Sequence, residues 1–186
     1  MNSAPIKTEV SLQLQGKRDR VGLKGPRAAQ WLEAQGILLP VQSNTWAQLP
    51  DRGGDGLLAA RLGVSEFFLE DAAEGATLPR LARILEARPP GVYAVPREDW
   101  GFLLRGAQVH EVLAQVCNIN FEDLPLDAQP LIMTLMIGIA VLVVPRCAAG
   151  ERQYRIWCDP SFGPYLGNTL GAVVIECGGR YTGVSV

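Results

Sequence analysis

The stretch "LKGPRAAQWLEAQGI", Leu23 to Ile37, returns as "LRGAQVHEVLAQVCNI", beginning at Leu104, 81 residues further on. Each copy is an apolar strand that ends in Leu-basic-Gly: Leu23, Lys24 and Gly25 in the first, Leu104, Arg105 and Gly106 in the second. Each then enters a segment of helical period. Ala28, Trp31 and Leu32 correspond to Val109, Val112 and Leu113, and both sets fall at i, i+3, i+4, which makes one apolar stripe on a helix. The glycine permits a tight turn from strand to helix, and Pro26 lies where a missing N–H costs nothing.

The parallel extends outward from these copies. In the first half, "LLAARL" (Leu57 to Leu62) and "EFFLED" (Glu66 to Asp71) read as strands. A helix then begins at Thr77, carries Leu78, Leu81, Ala82 and Leu85, and stops at Pro89, Pro90 and Gly91, after which "VYAV" reads as a strand. In the second half a long apolar strand precedes "QYRIWC" (Gln153 to Cys158). Asp159 and Pro160 form an N-cap and first helical position, Phe162, Tyr165 and Leu166 are expected to face inward, and "VVIEC" (Val173 to Cys177) is expected to close the unit as a strand. The fold class is thus α+β, a tandem pseudo-repeat of βαββαβ units. It comprises an N-terminal extension (1–19), a first repeat (20–96), a second repeat (97–178) and a C-terminal tail (179–186).

The long apolar strand is "LIMTLMIGIAVLVVP", Leu131 to Pro145. It is shorter than the roughly 20 residues a membrane-spanning helix needs. Its back half, Ile139 to Val144, is mostly β-branched, which suits a buried strand. One continuous central strand is expected, covered by helices on one face and by the partner repeat on the other, with Gly138 as its bulge or bend.

With 186 residues and 48% hydrophobic content the chain can build a sizeable core. A net charge of -2 and the lack of a basic run argue against nucleic-acid binding. "MNSAPIKTEV" lacks the apolar core of a secretory leader, so a cytoplasmic protein with no membrane association is expected. Cys117, Cys147, Cys158 and Cys177 form no CxxC pair and His110 is the only histidine, so no metal site is expected and the cysteines read as free thiols.

Candidate chemistry is sparse. His110 borders the stripe of its helix and reads as a helix-edge residue rather than a general base. The loop "PDRGGDG" (Pro50 to Gly56) carries two acids, has no P-loop lysine and leads into a strand, so it reads as a turn. Glu66, Glu70, Asp71 and Glu74 read as a solvated edge, and Glu122, Asp123 and Asp127 as a polar connection. No catalytic residue emerges. Arg105, Tyr154 and Trp157 are the candidate ligand-binding residues, since guanidinium and aromatic planes stack on flat heteroaromatic rings.

The segments "VGLKGPRAAQWLEAQGILLP", "LGVSEFFLED", "LLRGAQVHEVLAQVCNINF" and "ERQYRIWCDPSFGPYLGNTL" together resemble the gamma subunit of heterotetrameric sarcosine oxidase. More distantly they are similar to the folate-binding part of the glycine cleavage aminomethyltransferase (T-protein). The resemblance implies a folate-binding aminomethyltransferase-like fold with a cleft between repeats. It implies a non-catalytic subunit working with larger flavoprotein subunits that hold FAD, FMN and NAD. The alternative it implies is a free-standing one-carbon protein that binds tetrahydrofolate in the cleft. One departure is informative: in place of the aminomethyltransferase's acidic Gly-Glu-x-Gly-Phe-Glu, this chain has Gly150, Glu151, Arg152, Gln153, Tyr154 and Arg155. An acid that would accept from pterin N–H groups has become a base. Under the subunit reading, Trp46 and Trp100 are expected to contribute to an apolar patch for the partner.

Overall fold

The computed structural model describes residues 9–51 and 54–183. The chain separates into two compact units. One holds Gly16–Glu98 with Ala128–Leu131; the other holds the described residues up to Gln15, Asp99–Asp127 and the chain from Ile132 onward. Strand β1 (Ser11–Leu14) belongs to this second unit, although it lies in the segment read as an extension.

The first unit runs β2 (Arg20–Lys24), α1 (Ala28–Ala34), β3 (Thr45–Asp51), β4 (Gly54–Gly63), β5 (Glu66–Glu70), α2 (Thr77–Leu85) and β6 (Tyr93–Pro96). Its five strands form an antiparallel sheet in the order β3-β4-β5-β2-β6. Alternation sets Val21, Leu23, Ala59, Phe67 and Leu69 on one face, where they share a buried core with Ala28 and Leu32 of α1 and Leu78 and Leu81 of α2. Helix α1 ends where Gly36 takes a φ of 79° and Ile37 N–H bonds back to the Leu32 carbonyl, a Schellman closure. Asp71, at the end of β5, accepts from the Leu78 amide at 2.8 Å and so caps the start of α2. Of the loop 50–56, positions 52 and 53 lie outside the described residues, and its flanks belong to β3 and β4.

The second unit follows the same order: β7 (Trp100–Arg105), α3 (Val109–Val116), β8 (Ile132–Met136), β9 (Ile139–Ala148), β10 (Glu151–Cys158), α4 (Gly163–Glu176) and β11 (Arg180–Thr182). The six-element unit expected from the sequence is therefore one strand short in each half. The missing strand in the first half is β3; in the second it arises because the apolar run is two strands. Ile137 and Gly138, with φ of 53° and 78°, make a two-residue turn with both centres in the left-handed region, folding Leu131–Pro145 into a β8–β9 hairpin rather than one long strand.

A further correction concerns "VVIEC": helix α4 continues to Glu176 and the closing strand is β11. Phe162, in the turn just before α4, and Tyr165 on it are exposed, and only Leu166 of the three faces the core. The helix runs on because Gly163, Gly167 and Gly171, spaced by four, let it press against aromatic rings. A Cβ at Gly167 would stand 2.9 Å from the Phe102 ring, and one at Gly171 2.5 Å from Tyr181.

The sheet order here is β11-β1-β7-β10-β9-β8. Strand β1 pairs antiparallel with β7, the place β6 takes beside β2, and β11 is moved one position out to lie parallel with β1.

Candidate functional site

Arg105, Tyr154 and Trp157 lie on the neighbouring strands β7 and β10, yet they do not converge. Tyr154 and Trp157 are three residues apart, so a strand sends them to opposite faces. Tyr154 lies in the core on the helix-covered face; Trp157 lies on the other. Arg105 is exposed and pairs with Gln153, about 13 Å along the ladder from the position of Trp157. The group that stacks on Trp157 is instead Arg155, buried itself, with its guanidinium carbon 4.9 Å from the ring centroid.

Tyr154 makes a second, separate cluster. Its hydroxyl lies 2.6 Å from His110 Nε2 on α3 and donates toward the Phe121 carbonyl at 3.5 Å, while the Phe121 ring meets it edge-on. Burial lowers the His110 pKa below its ordinary value, the Arg152 charge lowers it further, and Glu122 opposes both. Burial likewise raises the Tyr154 pKa. Both shifts favour the uncharged forms, and His110 borders a cavity of about 370 Å³ lined also by Cys117, Asn118, Asn120 and Glu122. The cavity has a histidine and a cysteine, but His110 is engaged by Tyr154 and the Cys117 sulfur lies 3.8 Å from Thr134 Oγ1.

The first unit buries a polar group that the sequence disguised. Glu70, read as part of a solvated edge, is buried on the helix-free face of its sheet. Its carboxylate accepts from Arg20 Nε at 2.5 Å, and Arg18 approaches it to 4.0 Å. Register holds the explanation: Glu70 stands across from Arg20, the first residue of β2, and Arg18 lies two residues before it. On the same face Arg97 lies 5.1 Å from the Phe68 ring centroid.

Of the two tryptophans expected in a partner-facing patch, Trp46 is buried and Trp100 is half-buried. Trp46 is only 7% exposed, and Trp100 packs beside Phe102 and over Gly163. The strongly exposed aliphatic side chains are elsewhere: Leu38, Val41 and Val64 are 73%, 90% and 82% exposed. One guanidinium organises their loops. Arg61 donates to the carbonyls of Pro40, Val41, Gly63 and Val64 at 3.0–3.3 Å. Among the described residues no group of three or more His, Cys, Asp or Glu side chains could hold a metal ion, and no helix is long and apolar enough to cross a membrane.

No family model and no curated protein matches the chain. Solved structures do. A chain of the heterotetrameric sarcosine oxidase from Corynebacterium sp. U-96, solved in complex with pyrrole 2-carboxylate, matches with a TM-score of 0.70 and 24% identity, over 96% of this chain and 91% of that one. The glycine cleavage system aminomethyltransferase T from Bartonella henselae matches with a TM-score of 0.64 and 18% identity over 88% of this chain. This chain spans 46% of that protein's length. These are the two proteins to which the sequence resemblance points, and what the chain shares with them is a mixed α+β, two-sheet, aminomethyltransferase-like fold.

Proposed function

We propose that the chain is a non-catalytic, gamma-type subunit of a flavin-dependent, heterotetrameric sarcosine oxidase-like amine oxidase or demethylase. The observation that carries this reading is coverage: the match to the oxidase chain runs over 91% of it, whereas the aminomethyltransferase is more than twice as long as the part matched. A chain of subunit size and subunit fold is the economical reading. The absence of an activated nucleophile supports it. Among the described contacts the hydroxyl within hydrogen-bond reach of His110 is that of Tyr154, a phenol that lies in the core and whose pKa burial raises, so it is not activated as a nucleophile. Arg155 supports it too, because a guanidinium has only donors to offer where a pterin's N–H groups would need an acceptor. On this reading FAD, FMN and NAD reside in larger subunits, and the assembly is cytoplasmic.

The partner-facing feature under this reading is the tip carrying Leu38, Val41 and Val64. Residues 36–50 contain no charged side chain, and Arg61 holds the tip's backbone rigid, so docking it into an apolar socket costs little ordering entropy. The test is purification of the tagged chain from its native source, with mass spectrometry and flavin absorbance of the eluate. A large flavoprotein should copurify with the wild type and be lost with V41D/V64D; a lone, monodisperse, colourless chain overturns the proposal. The fold likeness to the aminomethyltransferase supports a second reading, a free-standing tetrahydrofolate-binding one-carbon protein. Saturable quenching of tryptophan fluorescence by folate at micromolar concentration would favour it.

A further inference from the structure

The two units treat one equivalent position differently. Strand β1 pairs with β7 as β6 pairs with β2, so Leu12, opposite Leu104, is the counterpart of Ala94, opposite Leu23. Beyond β1 the second sheet adds β11, which runs parallel to it with Tyr181 beside Leu12. Beyond β6 the first sheet adds no strand among the described residues. Leu12 is accordingly fully buried, whereas Ala94 is exposed.

The backbone of this edge is set for pairing. Gly25 gives its N–H to the Ser65 carbonyl, on the β5 side, so alternation makes Gly22 and Lys24 the residues that bond to β6 and turns the N–H and C=O of Ala94 outward. Pro96 removes only the last donor of the edge. In the second unit the carbonyl of Val10, counterpart of Val92, accepts from the Arg180 amide at 3.0 Å.

A side chain also holds β11. Tyr181 lies against Gly167 and Gly171, each one residue after a buried leucine of α4. The same flank of α2, one residue after the buried Leu78 and Leu81, carries Pro79 and Ala82. Both are exposed, and with Val21 and Leu78 they supply the apolar lining of a cavity of about 710 Å³, ample for an aromatic ring. An open strand edge and an apolar cavity beside it thus occur together, where the second unit has a strand and a tyrosine ring.

The geometry points to a docking site for an extended segment of a partner chain, added parallel to β6, with an aromatic residue opposite Ala94 whose ring enters the cavity beside Pro79 and Ala82. Main-chain bonds at Val92 and Ala94 supply affinity, and the cavity selects the aromatic residue. The site rests on this chain's own residues and does not depend on the subunit reading. The test is a titration of the isotope-labelled intact chain, followed by amide NMR shifts, with the peptide acetyl-Gly-Thr-Tyr-Thr-Gly-amide, patterned on the stretch around Tyr181. The expected result is saturable shifts at Val92 and Ala94 with a Kd on the order of 1 mM, and binding at least about fivefold weaker when alanine replaces the peptide's tyrosine. Ala82 is exposed, so Ala82→Trp should leave thermal unfolding unchanged while filling the cavity and abolishing the shifts. Shifts confined to β1 and β11, no shift on β6 at about 10 mM peptide, or equal binding of the tyrosine and alanine peptides overturns the proposal. So does a chain that dimerises through this edge, with the dimer lost in Ala82→Trp, because the occupant is then a second copy.

Discussion

At the scale of the residue, Gly25 and Gly106 hold the two units to one pattern. Their φ angles are 125° and 126°, which side chains on L-residues rarely adopt. A Cβ at Gly25 would stand 2.3 Å from the Gly91 carbonyl oxygen, and one at Gly106 2.6 Å from Val10 Cα. Both obstacles are backbone and cannot swing aside. Alanine at either position should cost about 2–3 kcal/mol or more in urea unfolding, whereas Gly138→Ala, with φ 78° and open space around it, should cost about 1 kcal/mol. The thiols differ in a comparable way. Burial, with help from Asp99 and Asp159, pushes the Cys158 pKa up to about 11, while Cys147 is exposed. Cys147 should react first with an aromatic disulfide reagent near pH 8, and Cys158 only on unfolding, as read by mass spectrometry of the labelled peptides. Of these features, the Leu-basic-Gly pairs were legible because they are literal repeats. The thiol environments were not, because burial depends on strands paired across the fold.

Among the elements, α4 shows where local pattern misleads. "VVIEC" has the composition of a strand, and β-branched residues favour one. The glycines at positions 163, 167 and 171 outweigh that preference because they bring the helix against Trp100, Phe102 and Tyr181, and packing over fourteen residues exceeds a propensity difference of a few tenths of a kcal/mol each. Gly167→Leu should therefore destabilise the protein by more than about 3 kcal/mol, since the Phe102 ring beside it is fully buried. Asn168→Leu, on the exposed side of the same helix, should change thermal unfolding by less than about 0.5 kcal/mol. The spacing of four was readable in "GPYLGNTLG"; its meaning required the aromatic surface it meets. The same holds for Ile137 and Gly138. A two-residue turn with an isoleucine at positive φ is uncommon, and only the β8–β9 pairing makes it the observed solution.

For the whole molecule, stability should depend on pH through His110. The folded state favours the neutral imidazole, chiefly because of burial, while in the unfolded chain the ring takes up its proton near its ordinary value of about 6.5. Below that pH the unfolded state binds the extra proton first, so this contribution is full above about pH 6.5 and declines as the pH falls through the lowered folded value. His110→Gln should flatten the change in urea midpoint over that interval, and an unchanged profile would remove His110 as its source. The sequence by itself determined the strand-glycine-helix copies, the α+β class and that Leu131–Pro145 is too short for a membrane-spanning helix, because periodicity and spacing are local properties. Only the tertiary structure decided that Ser11–Leu14 pairs beside β7, that Tyr154 and Trp157 serve different faces, and that Lys17, Arg18 and Arg20 meet Arg97 at one cavity. Those outcomes depend on which strands pair and in what register, and backbone hydrogen bonds between residues distant in the chain leave almost no trace in the residues themselves.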